Sequence, residues 1–168
     1  MMNSCGRYEK GDVALKVAKG DRKEALDEAL GLQQGHRRNL MDCLNIVRDV
    51  GITALDGLQY FDAGDKIMDS VVGTVAGMAL NSDLATRELP IFGIAIADDG
   101  VKVSARGTKD LVARGLDLSM VMRTASEQVG GHGGGHNIAA GATIPPGKEA
   151  EFLNIASKLV RQQLGQGR

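Results

Sequence analysis

The residues with most to offer a ligand lie in one run, Gly130-Gly131-His132-Gly133-Gly134-Gly135-His136-Asn137. Glycine loses more conformational freedom on folding than any other residue, so such a run costs stability that some other role must offset. Successive glycines let backbone N–H groups converge on an anion, and they let a ligand lie against bare main chain. His136 adds an imidazole donor. Upstream, Arg106 carries a planar fork of donors suited to phosphate, and Ser104, two residues before it, adds a hydroxyl. Composition alone leaves a flexible linker and a metal pair open as other readings. Flexible linkers usually carry serine as well. A His132/His136 pair four apart suits a helix, which this glycine run is not, and no nearby cysteine completes a zinc set. No Lys-Ser or Lys-Thr follows the glycines, as a Walker loop requires, and the run follows a helix rather than the strand that opens a dinucleotide fingerprint.

Among the elements, the clearest local pattern is the one that holds Arg106. Ile91–Ala97 is a nearly continuous apolar run, Asp98-Asp99-Gly100 follows, and Val101–Arg106 alternates, which predicts a β-hairpin. With Asp99-Gly100 as the turn, Ala97 pairs with Lys102, Ile96 with Val103, Ala95 with Ser104, Ile94 with Ala105 and Gly93 with Arg106. One face then carries Ile94, Ile96, Val101, Val103 and Ala105 as core. The other carries Lys102, Ser104 and Arg106 among Gly93, Ala95 and Ala97, a floor of small residues that makes room for something to approach. Lys102 reads as a solvated residue on that face, and His132 is given no role.

The remaining elements frame these. Asp21 to about Val50 reads as a long helix whose stripe is Leu26, Leu30, Gln33, Arg37, Leu40, Leu44 and Val47, or as two helices with a soft joint at Gly31–Gly35. Its polar middle suits a connector. Leu58–Asp62 reads as a strand, and Asp65 as the cap of a helix to about Leu80, with Gly73 and Gly77 placed for close packing on a sheet. A helix from Asp117 or Ser119 to Val129, with Gly130 at its C-terminal cap, leads into the glycine run. Ile138–Ile144 reads as a strand and Lys148–Leu164 as an amphipathic helix with Glu149 and Glu151 at its N-terminus. Met1–Tyr8 shows no hydrophobic pattern and reads as the end of something that precedes it. The fold class expected is α+β, a mixed α/β arrangement in which a sheet with a hairpin is covered by helices and preceded by a long connector helix.

Composition narrows the functions available. The 168 residues carry a net charge of −1, with a sequence pI near 6.3, so any nucleic-acid contact must be a local site rather than a broad basic surface. Aromatics are 3% and Trp is absent, which leaves the core to aliphatic side chains. Cys5 and Cys43 make no ligand spacing and read as reduced thiols of a cytoplasmic protein. No run of apolar residues is long enough to span a membrane, and no membrane role is expected.

Ser104-Ala105-Arg106, then a helix, then Gly133-Gly134-Gly135-His136-Asn137-Ile138-Ala139-Ala140-Gly141 resembles the DHHA1 domain of DHH phosphoesterases. A related module ends alanyl-tRNA synthetases, and it ranks behind because its glycine string usually lacks the following His and Ala-Ala-Gly. Asn3–Arg7, Tyr60–Asp65 and Val72–Met78 are similar to archaeal RecJ-like proteins. The resemblance implies residues 1–50 as the end of a catalytic core with its connector, and 51–168 as a substrate-binding domain. It implies that Ser104, Arg106, Gly133, Gly134, Gly135 and His136 hold the phosphates of single-stranded nucleic acid or an oligonucleotide. Such a domain works with a DHH catalytic domain that uses Mn²⁺ or Mg²⁺, and a replication or repair protein is a further partner. This chain has no Asp-His pair, Asp62, Asp65 and Asp69 read as strand-end and cap carboxylates, and no catalytic residue, metal ligand or cofactor is expected in it. Two alternatives stand beside a single-strand exonuclease: a phosphodiesterase for oligoribonucleotides or cyclic dinucleotides, and a non-enzymatic interaction module.

Overall fold

The computed structural model describes residues 1–7 and 9–165. The chain divides into two compact units, Met1–Cys43 and Leu44–Arg168, and the division falls inside a helix.

In the first unit, α1 (Met2–Arg7) and α2 (Gly11–Ala18) precede α3 (Glu24–Val50). Cys5, Val13, Val17, Ala25 and Ala29 form a small buried core. The opening segment is therefore helical, where the pattern of its first residues predicts nothing. Val13 and Val17, four apart, were the signal that an amphipathic helix follows. The α3 helix runs unbroken through Gly31 and Gly35, so there is no soft joint. Its inward stripe is also rotated by one residue from the expected one as far as Cys43, while Val47 belongs to both. Ala25, Ala29, His36, Cys43 and Val47 are buried, while Leu30 is 42% exposed and Arg37 faces solvent. Small side chains at 25 and 29 let α3 lie close to its neighbours, and that close approach outweighs the larger area of the leucines.

The second unit is built on a six-stranded mixed sheet in the order β1-β2-β3-β4-β6-β5. The strands are β1 (Thr53–Ala54), β2 (Gln59–Asp62), β3 (Ile91–Ala97), β4 (Gly100–Arg106), β5 (His132–Gly135) and β6 (Ala139–Ile144). Among these strands of the described residues only β2 and β3 run parallel; their crossover is α4 (Asp69–Leu80). The remaining helices are α5 (Lys109–Ala113), α6 (Leu118–Gln128) and α7 (Glu149–Gly165). Phe92, Ile94, Val101, Val103, Ala105, Ala140, Ala142 and Ile144 share one sheet face and make the main core with side chains of α6 and α7. The Phe92 and Phe152 rings meet in it, tilted, with centroids 6.5 Å apart. Gln163 of α7 clamps the start of α6, accepting from the Asp117 N–H at 2.9 Å and donating to its carbonyl at 3.2 Å. Asp117 in turn caps α6 by accepting from the Met120 N–H at 3.2 Å.

The hairpin forms with its turn one residue earlier than expected. Ala97 pairs with Gly100, Ile96 with Val101, Ala95 with Lys102, Ile94 with Val103, Gly93 with Ser104 and Ile91 with Arg106. The turn is Asp98-Asp99, because Gly100 is needed inside the ladder. It sits at φ 145°, and a Cβ there would come within 2.7 Å of the Ile144 carbonyl oxygen. Every partner moves by two residues, so the expected division into faces holds, although Ile96 near the turn is 60% exposed and not core. The helix after β2 starts at Asp69 rather than Asp65, with Met68 in the capping position and no side-chain cap.

Candidate functional site

Arg106, Ser104 and Lys102 project from β4 away from the main core. The small residues beside them on β3 do not leave open room, contrary to the expectation. A Cβ on Gly93 would lie 2.7 Å from the Phe61 ring and 2.9 Å from Val72 of α4, so that half of the floor receives α4. Gly73 and Gly77 are the contact points: a Cβ on Gly73 would strike the Arg106 guanidinium and come within 3.2 Å of the Ser104 Cβ, and one on Gly77 within 3.8 Å of the Arg106 Cγ. Glycine on α4 therefore makes the berth in which Arg106 lies. Its Nη1 donates to the carbonyl of Ala105 at 2.8 Å. Ser104 is 7% exposed beneath α4.

The other half of this face belongs to β6 and β5, and the registers place its rows. Gly93, Ser104, Gly141 and Gly134 form one row across four strands. Arg106 pairs with Ala139, and Ala139 exchanges backbone hydrogen bonds with His136 at 2.9 and 3.3 Å. The Gly107 N–H also donates to the Ile138 carbonyl at 2.8 Å, which ties the end of β4 to the turn beyond His136. Arg106 and His136 thus sit two strands apart on one face, about 10 Å between backbones. The exposed His136 and the half-buried Arg106 flank a floor of Gly134, Gly141 and Ala139.

The glycine run is an edge strand and its turn, not a loop, and its glycines separate by what a side chain would meet. At Gly131 a Cβ would strike the Thr143 carbonyl. At Gly133 it would come within 2.7 Å of the Met122 carbonyl on α6, and at Gly135, where φ is 141°, within 2.7 Å of Ala140. Those three are glycine because the sheet and α6 press against them. At Gly134 a Cβ would meet nothing within 4 Å, and at Gly141 only ordinary contacts at 3.5 and 3.9 Å. Packing does not account for either, and both lie on the face that carries Arg106. Gly133 and Gly135 instead have their missing side chains toward the α6 side. By the alternation of an antiparallel ladder, the His136–Ala139 exchange makes Gly134 a bonded position and turns the N–H groups of Gly133 and Gly135 off the sheet edge. A nest of converging amides is therefore not what this run forms.

Gly141 and Lys102 lie on the same face as Arg106. The Lys102 Cε lies 3.9 Å from where a Gly141 Cβ would be, so the half-buried stem of the lysine leans over the glycine row. The spacing of Gly141 seven residues after Gly134 was the available signal, since a tight two-residue turn between strands brings such positions opposite each other. Among the described residues no three His, Cys, Asp or Glu side chains gather where they could hold a metal ion, and Asp62 serves its own turn by accepting from the Gly64 N–H at 2.9 Å. No helix among them is long and apolar enough to cross a membrane. What the arrangement offers is a shallow, bare-backbone floor flanked by cationic and imidazole donors: a seat for an anion on a chain lying flat along the strands.

The DHHA1 domain family matches residues 57–162. An uncharacterized protein of Methanocaldococcus jannaschii is 33% identical over 98% of this chain, which spans 34% of that protein's length. Among solved structures, RecJ in complex with Mn²⁺ from Thermus thermophilus superimposes with a TM-score of 0.73 at 18% identity, over 96% of this chain and 23% of RecJ. The C-Ala domain of Aquifex aeolicus alanyl-tRNA synthetase gives a TM-score of 0.52 at 15% identity, over 65% of this chain and 96% of that domain.

Proposed function

Because the chain belongs to the DHHA1 domain family, we propose that the face around Arg106, Gly134, Gly141 and His136 grips the backbone of a single-stranded nucleic acid for a DHH-type phosphoesterase centre carried on a separate domain. The observation that supports this most is the pair Gly134 and Gly141, whose lack of side chains the fold does not require. A ligand lying against the backbone does require it. Arg106, held in its berth, supplies charge-assisted donors to a phosphate, and His136 a further donor. Ser104, beneath α4, serves at the inner edge. Such contacts position a chain without reading its bases.

The parent reaction implied is metal-dependent hydrolysis of phosphodiester bonds, exonucleolytic on single strands, of the kind used in DNA repair in the cytoplasm. The Mn²⁺ or Mg²⁺ of such chemistry is assigned to that separate domain, because no three His, Cys, Asp or Glu side chains among the described residues gather where they could hold an ion. No hydrolytic step is therefore assigned to them, and the 168 residues alone are expected to leave labelled single strands intact with either metal.

The test is titration of the whole chain with a short oligonucleotide, followed by NMR. Shifts are expected at Arg106, Gly134, His136 and Gly141. Arg106→Ala should weaken binding by about 1.5–3 kcal/mol, the worth of a hydrogen bond to a charged group. Binding by Arg106→Ala equal to wild type, or shifts confined to another surface, would overturn the reading.

A further inference from the structure

The same sheet face continues beyond the glycine row, on the side away from Arg106. Lys102 pairs with Thr143 on β6, and Thr143 with His132 on β5, so these three form a row parallel to the one through Arg106, Ala139 and His136. Lys102 and Arg106 are four residues apart on β4, about 14 Å at roughly 3.4 Å per residue. The glycine row lies between them. Thr143 is 8% exposed, yet no hydrogen bond from its hydroxyl occurs among the described residues. A hydroxyl buried without a partner costs free energy that a bound group would recover. Lys102, the backbone neighbour of Thr143, reaches over the adjoining glycine row, its Cε 3.9 Å from the position of a Gly141 Cβ, and it takes part in none of the ion pairs seen among the described residues. His132 is exposed at the outer end of the row.

We propose that Lys102, the Thr143 hydroxyl and His132 form a second phosphate subsite, so that the face holds two phosphates of one strand and favours an oligonucleotide over a mononucleotide. The proposal rests on the reading of the Arg106 face as a phosphate grip and extends it to a minimum ligand length. The ligand lies along the strands with its backbone over Gly141 and Gly134, one phosphate near Arg106 and His136 and another near Lys102 and Thr143. Asp99 borders His132 across a small hollow of about 270 Å³, so this end is less cationic and the second subsite is the weaker of the two.

Binding of thymidine 5′-monophosphate and of pentathymidylate to the full chain separates the subsites. Wild type is expected to bind the pentamer about tenfold more tightly than the monomer, the factor one charge-assisted contact supplies. Lys102→Ala and Thr143→Val should each reduce that advantage to about twofold or threefold while leaving monomer binding within about twofold of wild type. Circular dichroism of each variant checks the fold. Arg106→Ala should weaken both ligands. If Arg106→Ala weakens both but Lys102→Ala and Thr143→Val keep the full pentamer advantage, the second subsite is wrong and the phosphate grip stands. Loss of monomer and pentamer binding together in Lys102→Ala overturns it too, since one shared subsite then accounts for the data. If Arg106→Ala leaves both ligands unaffected, the underlying reading of the face falls.

Discussion

Glycine at two kinds of position makes opposite demands, and the difference is measurable one residue at a time. Gly133 faces the Met122 carbonyl and the Ala142 Cβ, at 2.7 and 2.9 Å from any added Cβ, both on elements that cannot easily give way. Gly133→Ala is expected to destabilise the fold by about 1–3 kcal/mol in urea denaturation, as overpacking does. Gly134→Val is expected to leave stability within about 0.5 kcal/mol while weakening oligonucleotide binding, because its side chain would stand in open space over the floor. The opposite pattern, or equal losses of stability, would show that the run is glycine for packing throughout. Residue chemistry was legible from the chain to this extent: Arg106, Gly134 and His136 are the types a phosphate needs, and the structure brings them to one face. The division among the glycines was not legible, because it depends on α6 and on β6, elements that meet the run only after folding. Lys102 was likewise invisible as a ligand candidate, since a lysine on an alternating strand looks the same whether it leans over a glycine or into water.

Elements were read best where a pattern is long and both faces are committed. The hairpin, α6, β6 and α7 lie close to where periodicity and punctuation placed them, because apolar spacing and caps act locally. The short β1 and α5 left no periodic trace, and the start of α4 was displaced because Asp65 offers a cap that the chain does not use. In α3 the helix itself was legible but its orientation was not. A stripe chosen by size selects Leu26 and Leu30, whereas the observed one selects the alanines beside them. Gly31 and Gly35 sit inside this unbroken helix, exposed and with nothing within 4 Å of an added Cβ. Gly31→Ala and Gly35→Ala should each stabilise α3 by about 0.5–1 kcal/mol by reducing the freedom of the unfolded chain. Slower amide hydrogen exchange between Ala29 and Asn39 is the readout. Unchanged exchange in the double variant would mean that the helix does not open in its middle at all.

Over the whole molecule, a net charge of −1 and a local site together set how binding should respond to salt. Two phosphate contacts on a single strand release few counterions, so the slope of log K against log salt should be near −1.4, at about −0.7 per contact. Titration between about 50 and 200 mM salt measures it in that range, and a slope steeper than about −3 would point to a basic surface that neither composition nor placement provides. The family match over residues 57–162 covers β2 to β6, α4 to α6 and most of α7, and it leaves β1 and the first unit outside. The hairpin that joins β3 to β4 bears on what changes such a chain can inherit. Its turn stands one residue from where the Asp-Gly signal put it, and the face that carries Arg106 kept its members because each partner moved by two. The site is thus indifferent to even steps in this turn and sensitive to odd ones. A lineage that gains or loses two residues at Asp98-Asp99 keeps Lys102, Ser104 and Arg106 facing α4 and the glycine row. One that gains or loses a single residue must absorb it in a loop of another length or a bulge, or else turn all three under the core. Drift in length at this turn is filtered by parity before it is filtered by chemistry.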